Sequence, residues 1–270
     1  MRPVVLKFGG ELLEDPRQLR RLAAAIREIA ASTPVAIVHG GGKEIDAALR
    51  TAGIEKQQVE GLRITDDSTL AVVVSVLAGA VNTRFVAALS TAGVAAVGLT
   101  GADASCGLAD VAPPHRTIDG HTVALGAVGI PAGDASMGVL HTLLDGGFVP
   151  VLACIGLGRD GGLLNVNADT FAGHLAARLH ARRLVIAGGT AGVLDTNGNT
   201  IAELNPASMD RLLTDRTATA GMVAKLRACQ DAVESGVDDV VILDGREPAT
   251  LVRAAGEIAS PGTTRIRREE

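Results

Sequence analysis

Twice within its first fifty residues the chain runs a short apolar segment into glycines and then into a helical period, an order that few folds accommodate. Val4–Phe8 (VVLKF) closes on Gly9 and Gly10. Asp15 then offers an N-cap with Pro16 at the first helical position, and Leu19, Leu22, Ile26 and Ile29 recur at three- and four-residue spacing along one helical face. The run 34–39 closes on Gly40, Gly41 and Gly42 before a helix that reaches Leu49 and stops at Gly53. Strands that alternate with helices have no short turns to pair them as hairpins, so they assemble as a largely parallel sheet covered on both faces.

Later segments continue the pattern. The apolar periods predict strands at 59–65, 94–99, 148–155, 163–166, 184–187 and 240–243, with a last edge strand at 263–266. Helices are predicted at 66–92, 138–145, 168–180, 206–213 and 221–235. Scattered glycines and Pro113-Pro114 predict short hairpins through 100–130, and Asn197-Gly198 predicts another within 192–203. The expected fold is α/β: an open, mainly parallel sheet sandwiched between helices in an αβα arrangement, one domain over residues 1–270. Its core must be aliphatic, because 47% of residues are apolar yet there is no Trp, no Tyr and only four Phe.

A net charge of −5 speaks against nucleic acid or an anionic membrane as the main partner. No uninterrupted apolar run approaches the roughly 18 residues of a membrane span. Cys106, Cys154 and Cys229 are far apart, odd in number and without metal-ligand or CxxC spacing, which predicts reduced packing residues in a cytoplasmic protein.

In parallel sheets ligands bind beyond the carboxyl ends of the strands. That rule selects the turn at Gly9 and Gly10, the triple glycine, the stretch from Asn165 to Asp169 and the loop from Gly188 to Gly192, a rim suited to a phosphate-bearing ligand. GGGKE lacks the spaced glycine and hydroxyl residue of a P-loop, and no GxGxxG follows the first strand. Lys7 fits either a solvent-facing edge or a central strand that supplies a partner for its ammonium. Arg63 in GLRITD suits a surface ion pair or a carboxylate ligand equally. In NVNADT, Asn165, Asn167 and Asp169 exceed what one helix cap requires. Lys225 is expected in the first turn of its helix, where the dipole disfavours a cation unless an anion is near. His39 is read as structural, having no partner at metal-ligand spacing.

Taken together these segments resemble the amino acid kinase family, and within it the branch that acts on N-acetyl-L-glutamate. The resemblance runs in order through LKFGGELL, IVHGGGKEID, EGLRITD, AVGLTGAD, GGFVPVLACIG, NVNADT, AGVLD, AGMVAKLRAC and ILDGREP. It implies a sheet of about eight strands, an acyl-amino-acid lobe over about 1–155 and an ATP lobe over about 156–270. It implies ATP-dependent phosphorylation of the γ-carboxylate in arginine biosynthesis, with Mg2+ carried by the nucleotide and no resident metal. Carried over by position, Lys7 and Lys225 match catalytic lysines and Asp169 the aspartate that orients them. Gly41, Gly42, Arg63 and Asn165 match the acceptor site; Gly10, Gly189, Gly192, Thr217 and Thr219 match the nucleotide site.

Two departures shape the expectations. The family has Ser or Thr followed by Asp where this chain has Gly188 and Gly189, so ATP is expected to bind weakly and an aspartate at 189 to tighten it. No helix precedes the first strand, which leads to the expectation of a homodimer without arginine feedback. Sibling kinases acting on N-acetylaminoadipate or a carrier-linked acyl glutamate, and a kinase-like regulatory protein with impaired ATP turnover, are the alternatives.

Overall fold

The computed structural model describes residues 1–117, 119–214, 220–256 and 261–267. Its organising element is an eight-stranded sheet of β1 (Val4–Phe8), β2 (Val35–His39), β3 (Ala96–Thr100), β4 (Val149–Ala153), β5 (Arg183–Gly188), β6 (Glu203–Leu204), β7 (Val240–Asp244) and β8 (Thr263–Ile266). The spatial order is β6-β8-β7-β5-β1-β2-β4-β3. Every pair from β3 across to β7 is parallel, and β8 alone runs antiparallel to its neighbour β7. The predicted edge strand is therefore not at the edge, because the short β6 pairs outside it.

β1 lies at the centre, flanked by β2 and β5. Both of its faces are buried: Val4, Leu6 and Phe8 join one aliphatic cluster with helix α1 (Pro16–Ala30), and Val5 joins the other. The α1 start is as the sequence predicts, Asp15 accepting from the amides of Arg17 and Gln18 at 2.8 Å. Helix α2 (Gly42–Thr51) follows β2.

Three differences from the sequence expectations have local causes. The predicted strand at 59–65 is only the two-residue hairpin Gln58–Val59 with Leu62–Arg63, turned by Glu60 (φ 46°) and Gly61 (φ 83°), both in the left-handed region that a tight hairpin needs. The predicted strand at 148–155 breaks after Ala153. Beyond Cys154, Ile155–Gly158 leaves the main sheet and joins Leu108–Val111, Val128–Pro131 and Leu163–Val166 in a small closed barrel. Finally, Pro248–Ala255, which the apolar pattern did not flag, is a helix with Pro248 in its first turn, packed on α1.

The long helix α3 (Asp67–Thr91) passes through a π-helical turn at Ser75–Val81 and is capped by Asp66, whose side chain accepts the Thr69 amide at 2.7 Å. By length and composition it is apolar enough to cross a membrane, with a window of mean hydropathy 1.8. It exceeds what the sequence expectation of no membrane-length apolar stretch allowed, Asp67 and Arg84 being the charges that bound its uncharged middle. Here Thr69, Val73, Leu77, Val81, Phe85 and Leu89 form its buried face, and Ala71, Ser75, Gly79 and Thr83 are exposed. All three cysteines are free and buried, and burial pushes the thiols of Cys106 and Cys154 up to about 12, as packing residues require.

Candidate active site

Lys7 is the one charged residue in an otherwise apolar β1, and its position in mid-sheet leaves its side chain 9% exposed. An unpaired ammonium there is prohibitive, and Asp169 supplies the partner at 2.8 Å. Asp169 sits in the first turn of α4 (Ala168–Arg178), where Asn167 caps the helix by accepting the amides of Asp169 and Thr170 at 2.9 and 3.1 Å. One of the three polar groups in NVNADT is thus the cap and another the ion-pair partner.

Asp169 has a second cation. Lys225, on α5 (Ala220–Glu234), places its ammonium 3.3 Å from Asp169 Oδ2. The described helix places Lys225 in its second turn and not the first, and the nearby anion expected from the sequence is Asp169. Gly173 brings the two helices close, since a Cβ there would lie 3.0 Å from the Ala228 carbonyl oxygen.

The three charges shape one another. Burial alone would lower Lys7, but Asp169 outweighs it and the ammonium is held above its ordinary value. Lys225 is pushed down by burial and by the nearby Lys7 charge. Burial would raise Asp169, but both ammoniums hold its carboxyl below the usual range. The cluster carries a net positive charge at the rim.

Gly10 and Gly41 approach so closely that a Cβ on Gly10 would lie 2.6 Å from Gly41 Cα. Neither loop admits a side chain at that point. Gly41 is the N-cap of α2 with no side-chain cap, and Gly42 opens the helix with nothing within 4 Å of its Cβ position. The first amides of a helix have no partner within it, and this helix start supplies no side-chain cap for them. His39 is structural, as expected. It is fully buried, its Nε2 pairs with the amide of Asn82 at 3.0 Å, and burial lowers it to about 4, so it is neutral at pH 7.

The hairpin aims Arg63 at α2, where its Nη2 donates to Asp46; Asp46 also accepts from Lys56 at 2.9 Å. Burial would raise Asp46, but Lys56 and Arg63 outweigh it and keep it ionised. Among the described residues Arg63 Nη1 is buried without a hydrogen-bond partner, so half of the guanidinium fork is unsatisfied. Asn165 Nδ2 donates to Thr65 Oγ1 at 3.2 Å, which ties the barrel to this hairpin. Asp46 stands in the IVHGGGKEID motif, and its role was invisible in sequence because its partner arrives from the following hairpin.

The Gly188 to Gly192 loop follows β5 at the same rim. Neither Gly188 nor Gly189 adopts a left-handed backbone; Gly192 does, at φ 66°, and a Cβ there would meet Thr264 Oγ1 at 2.5 Å. Packing on β8 thus accounts for Gly192. The Gly189 amide is not free: it donates to Glu11 Oε1 at 3.0 Å. A Cβ on Gly189 would lie 3.7 Å from that same oxygen, in ordinary contact, so an aspartate introduced there would face a carboxylate already in place. Thr217 and Thr219 lie outside the described residues. Among the described residues no group of three or more His, Cys, Asp or Glu side chains could hold a metal. A cavity of about 450 Å³ beside Gly173, His174 and Ala232 lies on the flank of α4 and α5 and includes none of Lys7, Asp169 and Lys225.

Lysines held apart by one carboxylate, beside open helix-start amides where strand order reverses in a parallel sheet, are equipment for polyphosphate, and the chain is a phosphotransferase. A sequence model of the amino acid kinase family matches residues 2–244, and the chain belongs to that family. It is 42% identical to the acetylglutamate kinase of Rhizorhabdus wittichii, over 96% of this chain and 87% of that one. It is 40% identical to that of Sphingopyxis alaskensis, over 92% and 83%. Among solved structures, N-acetylglutamate synthase from Neisseria gonorrhoeae, complexed with coenzyme A and N-acetyl-glutamate, superposes with a TM-score of 0.84 at 25% identity. That match covers all of this chain and 60% of the synthase.

Proposed function

We propose that the chain transfers the γ-phosphoryl group of ATP to the γ-carboxylate of N-acetyl-L-glutamate, forming N-acetyl-L-glutamyl 5-phosphate and ADP. The observation that carries this is the Lys7–Asp169–Lys225 cluster, two ammoniums on one carboxylate, on the sheet whose Gly10 and Gly41 turns meet at the rim. The 42% identical acetylglutamate kinase supports the choice of acceptor. The acceptor carboxylate is ionised at pH 7 and needs no general base. One of its oxygens forms a bond to phosphorus while the bond to the β,γ-bridging oxygen breaks, the electron pair leaving with ADP. Lys7 and Lys225 compensate the charge that spreads over the transferring group, Asp169 fixes their positions, and the Gly41 and Gly42 amides donate along the transfer path. Arg63 takes a substrate carboxylate, Asp46 holds it in place, and Asn165 borders the acceptor. Mg2+ enters with ATP and neutralises part of the phosphate charge. The acceptor lobe is the N-terminal half and the nucleotide lobe the C-terminal half.

Coupled ADP release with N-acetyl-L-glutamate, glutamate and N-acetylaminoadipate tests this. Turnover preferring the first supports it; preference for N-acetylaminoadipate makes the chain a sibling kinase, and no turnover with any of them sinks the assignment. Arg63→Lys is expected to raise the KM for N-acetylglutamate roughly tenfold or more with kcat little changed, because an ammonium cannot reproduce a bidentate fork. An unaltered acceptor KM alongside a raised one for ATP would move Arg63 to the nucleotide.

We further propose a cytoplasmic homodimer paired through α3, whose exposed face of small residues permits close helix approach. Light scattering is expected to give about twice the 27.4 kDa chain mass, and Ser75→Arg to halve it. A monomeric unmodified protein would overturn the pairing.

A further inference from the structure

The rim holds a carboxylate that the phosphoryl-transfer account leaves idle. Glu11 lies in the single turn Gly10–Leu12 after β1, and its side chain folds into space that three glycines leave open. A Cβ on Gly9 would sit 2.4 Å from both of its carboxylate oxygens, and those on Gly188 and Gly189 would sit 3.5 and 3.7 Å from Oε1. Oε1 is anchored on the Gly189 amide at 3.0 Å, and Arg246 Nη2 holds the carbonyl of that same glycine at 3.0 Å. The anchor therefore has fixed points on both sides. Glu11 is also close enough to Lys7 for its charge to help raise that ammonium's pKa.

Neighbouring acids are engaged. Asp169 is shared by Lys7 and Lys225, Asp244 is bound by Arg246, and Glu44 by Arg84. Glu11 differs from them: its charge is felt by Lys7 and Arg246, yet among the described residues it forms no ion pair and its Oε2 has no hydrogen-bond partner. A carboxylate directed toward a polyphosphate is repelled unless a cation lies between them. Mg2+ in such sites keeps most of its water and takes one or two carboxylates beside the phosphates.

We propose that Glu11 is the protein's contact to the divalent cation of the bound nucleotide, with Oε1 held by Gly189 and Oε2 available to the metal or its water shell. This rests on the ATP-dependent reading of the site. It also gives Gly9 a purpose, since a Cβ there would lie 2.4 Å from both oxygens of the carboxylate it makes room for.

The test is calorimetric titration with a non-hydrolysable ATP analogue, with and without Mg2+, of the unmodified chain, Glu11→Gln and Glu11→Asp. The unmodified chain is expected to bind the Mg2+ complex about tenfold or more tighter than the free analogue. Glu11→Gln, which can still accept the Gly189 amide, is expected to lose most of that Mg2+ dependence, and Glu11→Asp to recover part of it. N-acetylglutamate binding serves as the fold control and is expected to be unchanged. Equal Mg2+ dependence in all three proteins overturns the assignment of Glu11 alone. Equal tightening of both analogue forms in Glu11→Gln overturns it in favour of a carboxylate that occludes the phosphates. Failure of the unmodified chain to bind the analogue in either form overturns the ATP reading itself.

Discussion

Lys225→Ala is expected to lower kcat by about a hundredfold or more, the scale of losing one electrostatic stabiliser of a transition state, while N-acetylglutamate still binds. Lys7 remains 2.8 Å from Asp169 in that variant, so the carboxylate keeps a partner and the fold survives. Steady-state kinetics with both substrates checks it, and an unchanged kcat would remove Lys225 from the mechanism. The pH profile gives a second readout. Burial and the Lys7 charge lower the Lys225 pKa, so the alkaline limb of kcat/KM should fall below the ordinary lysine range. Since the three groups titrate together, that limb belongs to the cluster. In Lys225→Ala the limb should move or vanish.

Asp169→Asn is expected to do more damage, because it leaves two buried ammoniums facing each other. Removing one member of a buried ion pair costs about 3–5 kcal/mol, and turnover should fall at least as far as in Lys225→Ala. The linkage signs distinguish this from general misfolding. The folded-state pKa of Asp169 is depressed, so its contribution to stability is present above the unfolded value and is lost as pH falls through the folded one. The asparagine variant lacks that acid-side loss. Its lysines, without their counter-charge, bind protons less readily than in the unfolded chain, so its stability should rise as pH rises toward the lysine range. Urea unfolding between pH 4 and 9 reads both effects; an Asn variant as stable as the parent at pH 7 would show that the aspartate does not bridge the lysines.

Much of this was legible in the residues. Strand runs, helix periods and the caps at Asp15, Asp66 and Asn167 rest on interactions within a few positions, so local sequence states them directly. The glycine loops could be placed at one rim because parallel strands all end on the same side. Lys7 was suspect for a related reason: a central strand has nowhere to solvate an ammonium.

Elsewhere the deciding partner was far away in the chain. Local spacing put Lys225 in a first turn, where the dipole disfavours a cation, and so called for a nearby anion; that the anion is Asp169, 56 positions away, no local pattern could say. The stretch at 59–65 looked like a strand from its apolar content, and became a hairpin of two-residue strands because Glu60 and Gly61 turn the chain back on itself. Glu11 shows the limit most plainly. In sequence it is an acid after two glycines, and Gly188-Gly189 is a pair of missing side chains; only the pairing of β1 with β5 sets one against the other. Periodicity, capping and charge composition are properties of neighbours along the chain, and these the sequence determined. Which ammonium meets which carboxylate, and which glycine makes room for whom, depends on sheet order and helix packing, and these the tertiary structure alone decided.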